Sequence, residues 1–132
     1  MKKGFSLLEI LLGGIIIVVL AGLSMPIIIR QIERARWAEA KTNLQILRNA
    51  QLRYSYRSHR QGAYCEDFTY PFECLDVQIT PPKYFDYEVH NNQNKLAIAY
   101  CRRGCLLLAA GIWIDEAGNF YYTGDVPDWV KD

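Results

Sequence analysis

The chain has little of what catalytic and metal sites are built from. It holds two histidines. Neither His59 nor His90 falls in a ligand or acid–base pattern, and no CxxC, nucleophile motif or phosphate loop occurs. The paired glycines Gly13-Gly14 are not followed by Lys-Ser/Thr, so they cradle no phosphate. These absences argue against an enzyme and call for no cofactor and no metal. A strong net charge is missing too, at +1 overall. Between Phe5 and Ile29 there is no Lys, Arg or His, and Glu9 is the only strongly polar side chain. From Ile27 to Ser58 there is neither Gly nor Pro. No cysteine follows the apolar run closely, which excludes a lipoprotein signal.

What is present begins with that run. About 25 residues at about 1.5 Å each make roughly 37 Å of helix, enough to cross a hydrocarbon core of about 30 Å. A cleaved secretory signal would have a shorter apolar core, and Ala21-Gly22 is only a loose cleavage site. The run continues without a break into RQIERARWAEAKTNLQILRNAQLRYSYRS. There Ile32, Ala40, Leu44, Leu47, Ala50 and Tyr54 share one arc at about 100° per residue, with Arg34, Lys41 and Arg48 opposite. One helix from Phe5 to Ser58, roughly 80 Å long, is expected, its second half amphipathic. Pro26 removes one helical hydrogen bond and should kink or loosen it locally.

Charge is divided along the chain. Arg30 to Arg60 carries eight Lys/Arg against Glu33 and Glu39, whereas the residues from Gln61 onward carry five basic side chains against eleven acidic ones. Such a division suggests that the two surfaces meet, within one chain or between neighbours. It leaves the basic helix no need of nucleic acid, and no specific nucleic-acid partner is expected.

After Arg60 the texture changes. Residues 61–82 are irregular, with Gly62, Pro71, Pro81 and Pro82. The runs KYFDYEVH, KLAIAYC, LLLAAGIWID and NFYYTG follow, separated by the turn-like NNQN, RRG and EAGN. They predict a short antiparallel sheet of three or four strands over 83–125, with a hairpin turn near Ala117-Gly118-Asn119. A portion this small needs a cover for its sheet, and the helix face from Ala40 to Tyr54 can supply one. The expected class is therefore α+β. The domains read as 1–4 leader, 5–29 membrane helix, 30–58 amphipathic half of the same helix, and 59–132 head.

Cys65, Cys74, Cys101 and Cys105 all lie in the head. An even number in a short, loop-rich portion favours two disulfides over zinc, and an oxidising compartment. Local pairs, Cys65–Cys74 and Cys101–Cys105, are the simplest arrangement; crossed pairings satisfy the sequence equally.

Glu9 is the residue that a membrane anchor does not need. A carboxylate deep in a membrane helix costs about 2.5–3.5 kcal/mol and usually marks a function. Only an α-amino group created by cleavage after Gly4 would lie close enough to pair with it. KKGFSLLE resembles the class III signal sequence of the type IV pilin family: a short basic leader ending in Gly4, aromatic Phe5 as first mature residue, and Glu9 as the fifth. Pro26 and RWAEAK are further matches, and the resemblance covers residues 1–55, the head matching by architecture only.

The resemblance implies a long helix packed on a small sheet, and a single pass through the inner membrane with the head outside the cytoplasm. Lys2 and Lys3 against Arg30, Arg34 and Arg36 do not by themselves set that orientation, but large translocated portions follow charge poorly. It further implies cleavage between Gly4 and Phe5 by a prepilin peptidase, methylation of the new amine, and extraction by an assembly ATPase and platform protein into a helical filament. In that filament Glu9 would pair with the Phe5 amine of a neighbouring subunit, and Pro26 would serve assembly. The filament would be a cell-surface pilus or, alternatively, the periplasmic pseudopilus of a type II secretion system. Asp115, Glu116 and Asp125 form no ordered calcium loop of the kind usual in the major pseudopilin. A membrane-anchored binding module that never polymerises is the reading from outside the family, and it leaves the register of Gly4, Phe5 and Glu9 unexplained.

Overall fold

A computed structural model describes residues 6–57, 63–79, 83–102 and 110–131. The chain forms two compact units, Met1–Ile32 and Glu33–Asp132. Helix α1, Leu7–Arg57, contributes to both. Its expected limits, Phe5 and Ser58, lie just outside the described residues.

In the first unit α1 opens with the Glu9 and Ile10 amides donating to the Ser6 carbonyl at 2.9 and 3.3 Å. A helix satisfies its own backbone, so a run this rich in Ile, Leu and Val needs no water for its peptide groups. It runs through Pro26 without a break in helical structure. Two residues earlier the Ser24 hydroxyl donates to the Leu20 carbonyl at 2.9 Å. No described residue of this unit is buried.

In the second unit the rest of α1 is amphipathic and packs on a sheet. Its buried stripe is Glu33, Trp37, Ala40, Leu44, Leu47 and Gln51, spaced alternately four and three apart, with Asn43 and Ala50 beside it. Ala40, Leu44, Leu47 and Ala50 face inward as their spacing predicts, and Tyr54 packs partly against the core. Ile32 does not, being 48% exposed. It lies about 80° around the helix from Ala40, whereas Glu33 lies about 20° away and takes the inward place.

The sheet is a four-stranded antiparallel meander in the order β1 (Phe85–Val89), β2 (Ala97–Cys101), β3 (Gly111–Ile114), β4 (Phe120–Thr123). Alternation decides the faces. Phe85, Tyr87 and Val89 turn toward α1 while Asp86 and Glu88 point away. The row Tyr87, Ala99, Ile112, Tyr122 crosses all four strands on the helix side. Ala99 and Ala97 are small where α1 passes, and Trp37 meets the Phe85 ring edge-on at 5.1 Å. On the far face Trp113 stacks on the exposed Tyr121, and the cross-strand neighbour Ile98 is buried, so β2 is covered on both faces at Ile98 while Tyr100 on the same far face stays exposed.

Two connections hold the meander. Between β1 and β2 the Asn92 carbonyl and side chain take the Lys95 and Asn94 amides. Between β3 and β4 the turn falls at Gly118, whose φ of +97° is left-handed and suits glycine. Segment 63–79 pairs with the outer edge of β1 through a bridge between Asp67 and Val89. A short helix, α2 (Asp128–Lys131), closes the described chain; no sequence signal announced it.

Candidate assembly surface

In the first unit no described residue covers the apolar helix. Every large apolar side chain from Leu7 to Ile29 is open, from 82% exposed at Leu7 to 43% at Ile29. Full burial of one such side chain is worth about 1.5–3 kcal/mol, and a contiguous patch of this extent is far beyond what a water-facing surface carries. The stretch is a candidate membrane span by length and composition, consistent with single-pass anchoring. A Cβ added at Gly13, Gly14 or Gly22 would meet nothing within 4 Å, so nothing among the described residues requires glycine there. Small residues at such positions let a second helix approach closely.

Glu9 stands in the first turn of that helix. A carboxylate there is favoured by the helix dipole. Among the described residues it has no ion-pair partner. Gly4 and Phe5, the expected processing residues, lie outside the described residues. Pro26 sits mid-helix and exposed.

The second unit places the cysteines. Cys65 and Cys74 are joined, their Cα atoms 6.0 Å apart, and the bridge closes the loop that lies over α1. Cys101, the last residue of β2, is disulfide-bonded too; its expected partner, Cys105, lies outside the described residues. The buried Gln51 side chain fastens the same loop to the helix. Its amide nitrogen Nε2 donates to the Cys65 carbonyl at 2.7 Å, and its Oε1 accepts the Cys65 amide at 2.9 Å. Asn43 Nδ2 donates to the Tyr87 hydroxyl at 3.0 Å, and burial pushes the Tyr87 phenol up to about 12. These two amides interrupt the apolar stripe, and their places in it were the only sequence signal for their role.

Basic residues on α1 tie down the rest. Arg34 Nε donates to the Trp129 carbonyl, and Lys41 Nζ donates to the carbonyls of Val130 and Lys131, so both cations cap the end of α2. Arg48 donates through Nε and Nη2 to the Glu116 carbonyl in the β3–β4 turn, at 2.8 and 2.6 Å. Arg36 pairs with the buried Glu33 and lies over the Tyr84 ring.

Two of the three acids weighed for calcium, Asp115 and Glu116, are engaged elsewhere. Asp115 is partly desolvated, which opposes ionisation. Hydrogen bonds from Asn119, Tyr121 and the Gly118 amide outweigh this and hold its carboxyl below the usual range. Burial, then a hydrogen bond to the Glu116 side chain, raises the Tyr64 phenol. Asp125 is exposed. Among the described residues no three His, Cys, Asp or Glu side chains come together as metal ligands. His59 lies outside those residues; His90 lies 3.3 Å from the Glu88 carboxylate and against the Phe68 ring.

No family model, curated protein or solved structure matches the chain. What the surface can do therefore rests on its own chemistry. It offers a helix whose apolar side chains are uncovered from Leu7 to Ile29, with one acid near the start, and a disulfide-braced unit with no group of three metal-ligating side chains among its described residues.

Proposed function

We propose that the chain is a structural subunit of a type IV pilus-like filament. It enters the inner membrane as a precursor, head outside the cytoplasm. A prepilin peptidase cuts after Gly4, the Phe5 amine is methylated, and an assembly ATPase and platform protein draw the subunit into a helical array of like subunits through its apolar helix. The observation that carries this reading is the pairing of a lone carboxylate, Glu9, with a helix left uncovered from Leu7 to Ile29. Both are incomplete in one copy. A second copy covers the apolar side chains, and its new α-amino group neutralises the acid. One buried pair with one permitted position is a register device.

The pseudopilus of a type II secretion system is the alternative within the same family. The commitment of Asp115 to four hydrogen-bond donors favours the pilus reading, because that carboxylate is not free for a calcium ion.

Mass spectrometry of the protein extracted from membranes tests the reading. The expected mature N-terminus is N-methylated Phe5; any other start sinks it. In the Glu9→Val variant, insertion and cleavage after Gly4 are retained, because removing a charge eases insertion. Fibres are lost, or the amine stays unmethylated. Normal fibres from that variant would reduce Glu9 to an interfacial accident. Loss of surface fibres on deletion supports a pilus, and loss of protein export a pseudopilus.

A further inference from the structure

Six basic residues of α1 lie in the second unit, and four are used within it. Arg34 and Lys41 cap α2, Arg36 pairs with Glu33, and Arg48 holds the Glu116 carbonyl. Arg53 and Arg57 are the exceptions. They are exposed, one helical turn apart, and no carboxylate among the described residues reaches ion-pair distance of either. Both line a cleft of about 130 Å³ with Ala50, Tyr54, Leu75 and Asp76, and Asp76 pairs with neither. The neighbouring loop shows the converse. Asp67 is occupied by the Thr69 and Glu73 amides, while the Glu66 and Glu73 carboxylates are exposed and have no ion-pair partner among the described residues.

We infer that Arg53 and Arg57 of one copy bind the Glu66 and Glu73 carboxylates of an adjacent copy, a head-to-head contact between cleft and disulfide loop. The inference rests on the filament reading, which sets parallel copies side by side. Where parallel copies lie side by side, the second unit of one copy faces the second unit of the next at similar height. The carboxylates that meet the arginine pair must then lie near the level of residues 53–57. Segment 63–79 does, since Cys74, Leu75 and Asp76 lie beside Ala50–Arg57. Glu39 does not, being fourteen residues and about 21 Å nearer the start of the helix. Asp125 and Asp128 adjoin α2, which is tied to Arg34 and Lys41, about 18 Å or more from Arg53. Guanidinium pairs bind carboxylates through parallel N–H donors, so geometry as well as charge selects the contact. Exposed pairs of this kind set partner and register more than affinity.

The test is a charge exchange in cells assembling fibres from the full chain. Arg53→Glu with Arg57→Glu lowers the yield of sheared fibres by at least about tenfold, and Glu66→Arg with Glu73→Arg does the same. Combining all four substitutions restores most of the yield. Wild-type yield from either reversed pair, or a combined variant as defective as its parents, overturns the contact. A conservative probe covers the case in which reversal harms folding. Arg57→Lys fibres, grown from isotopically mixed copies and treated with a zero-length carbodiimide, give cross-links from position 57 to Glu66 or Glu73 of another copy. Cross-links to Asp76 of the same copy only, or none between copies, overturn the contact. Fibre yield insensitive to reversal, with added inorganic phosphate stabilising the wild-type chain but not the reversed one, would mean that the cleft takes a free anion instead. If the wild-type N-terminus is not methylated Phe5, the filament reading fails, and the contact falls with it.

Discussion

Replacing Gln51 by methionine removes two hydrogen bonds at nearly constant volume. Gln51 is fully buried, and its amide spans the Cys65 amide and carbonyl at 2.9 and 2.7 Å. Cys65 is itself only 2% exposed, so neither backbone group can turn to water without moving the loop. Each buried group left unpaired costs about 1–3 kcal/mol. The methionine thioether recovers part of this as apolar contact, about 1 kcal/mol. The expected net loss is about 3 kcal/mol, which for a unit of this size lowers the unfolding midpoint by roughly 12–24 °C. The assay is thermal unfolding of the full chain in detergent, followed by near-ultraviolet circular dichroism from the head aromatics. Hydrogen exchange at the Cys65 amide should rise in the same variant before global unfolding does. A loss below about 1 kcal/mol, with unchanged exchange at Cys65, would refute the reasoning that this amide anchors the loop to the helix.

Asp115→Ala takes away an acceptor of four donors in the β3–β4 turn and should cost about 1–2 kcal/mol, read by chemical denaturation. Because the folded-state carboxyl is held below its ordinary 3.8, its contribution is present above that pH and is lost on acidification through the lower folded value; Asp115→Ala should erase that part of the acid dependence. At the other end of the scale the Tyr87 phenol is raised from 10.0 to about 12. Its contribution is intact below pH 10 and is lost as pH rises toward 12, so Tyr87→Phe should flatten the alkaline limb of stability, and an unchanged limb would contradict the assignment.

The helix and the sheet were legible because their periods are long and clean. The stripe Ala40, Leu44, Leu47, Ala50 repeats at helical spacing, and FDYEV alternates at the spacing of a strand. The turn at Gly118 was legible because a left-handed residue there favours glycine. Ile32 was misplaced because arc counting treats every apolar residue as core, while a glutamate paired with Arg36 fills the inward position one residue later. Gln51 and Asn43 were invisible as anchors, since an amide in an apolar stripe has meaning only once its partner on another segment is known.

By itself, then, the sequence determined the apolar run, its single acid, the amphipathic continuation and the alternating strands. All of these are patterns of neighbours in one chain, governed by local geometry and by transfer from water. Pairing was left to the tertiary structure: Cys65 with Cys74, Gln51 with Cys65, Arg34 and Lys41 with α2, and Arg48 with the β3–β4 turn. Only the folded unit distinguishes the four spent cations from Arg53 and Arg57, because whether a charge is satisfied depends on what lies across from it in space.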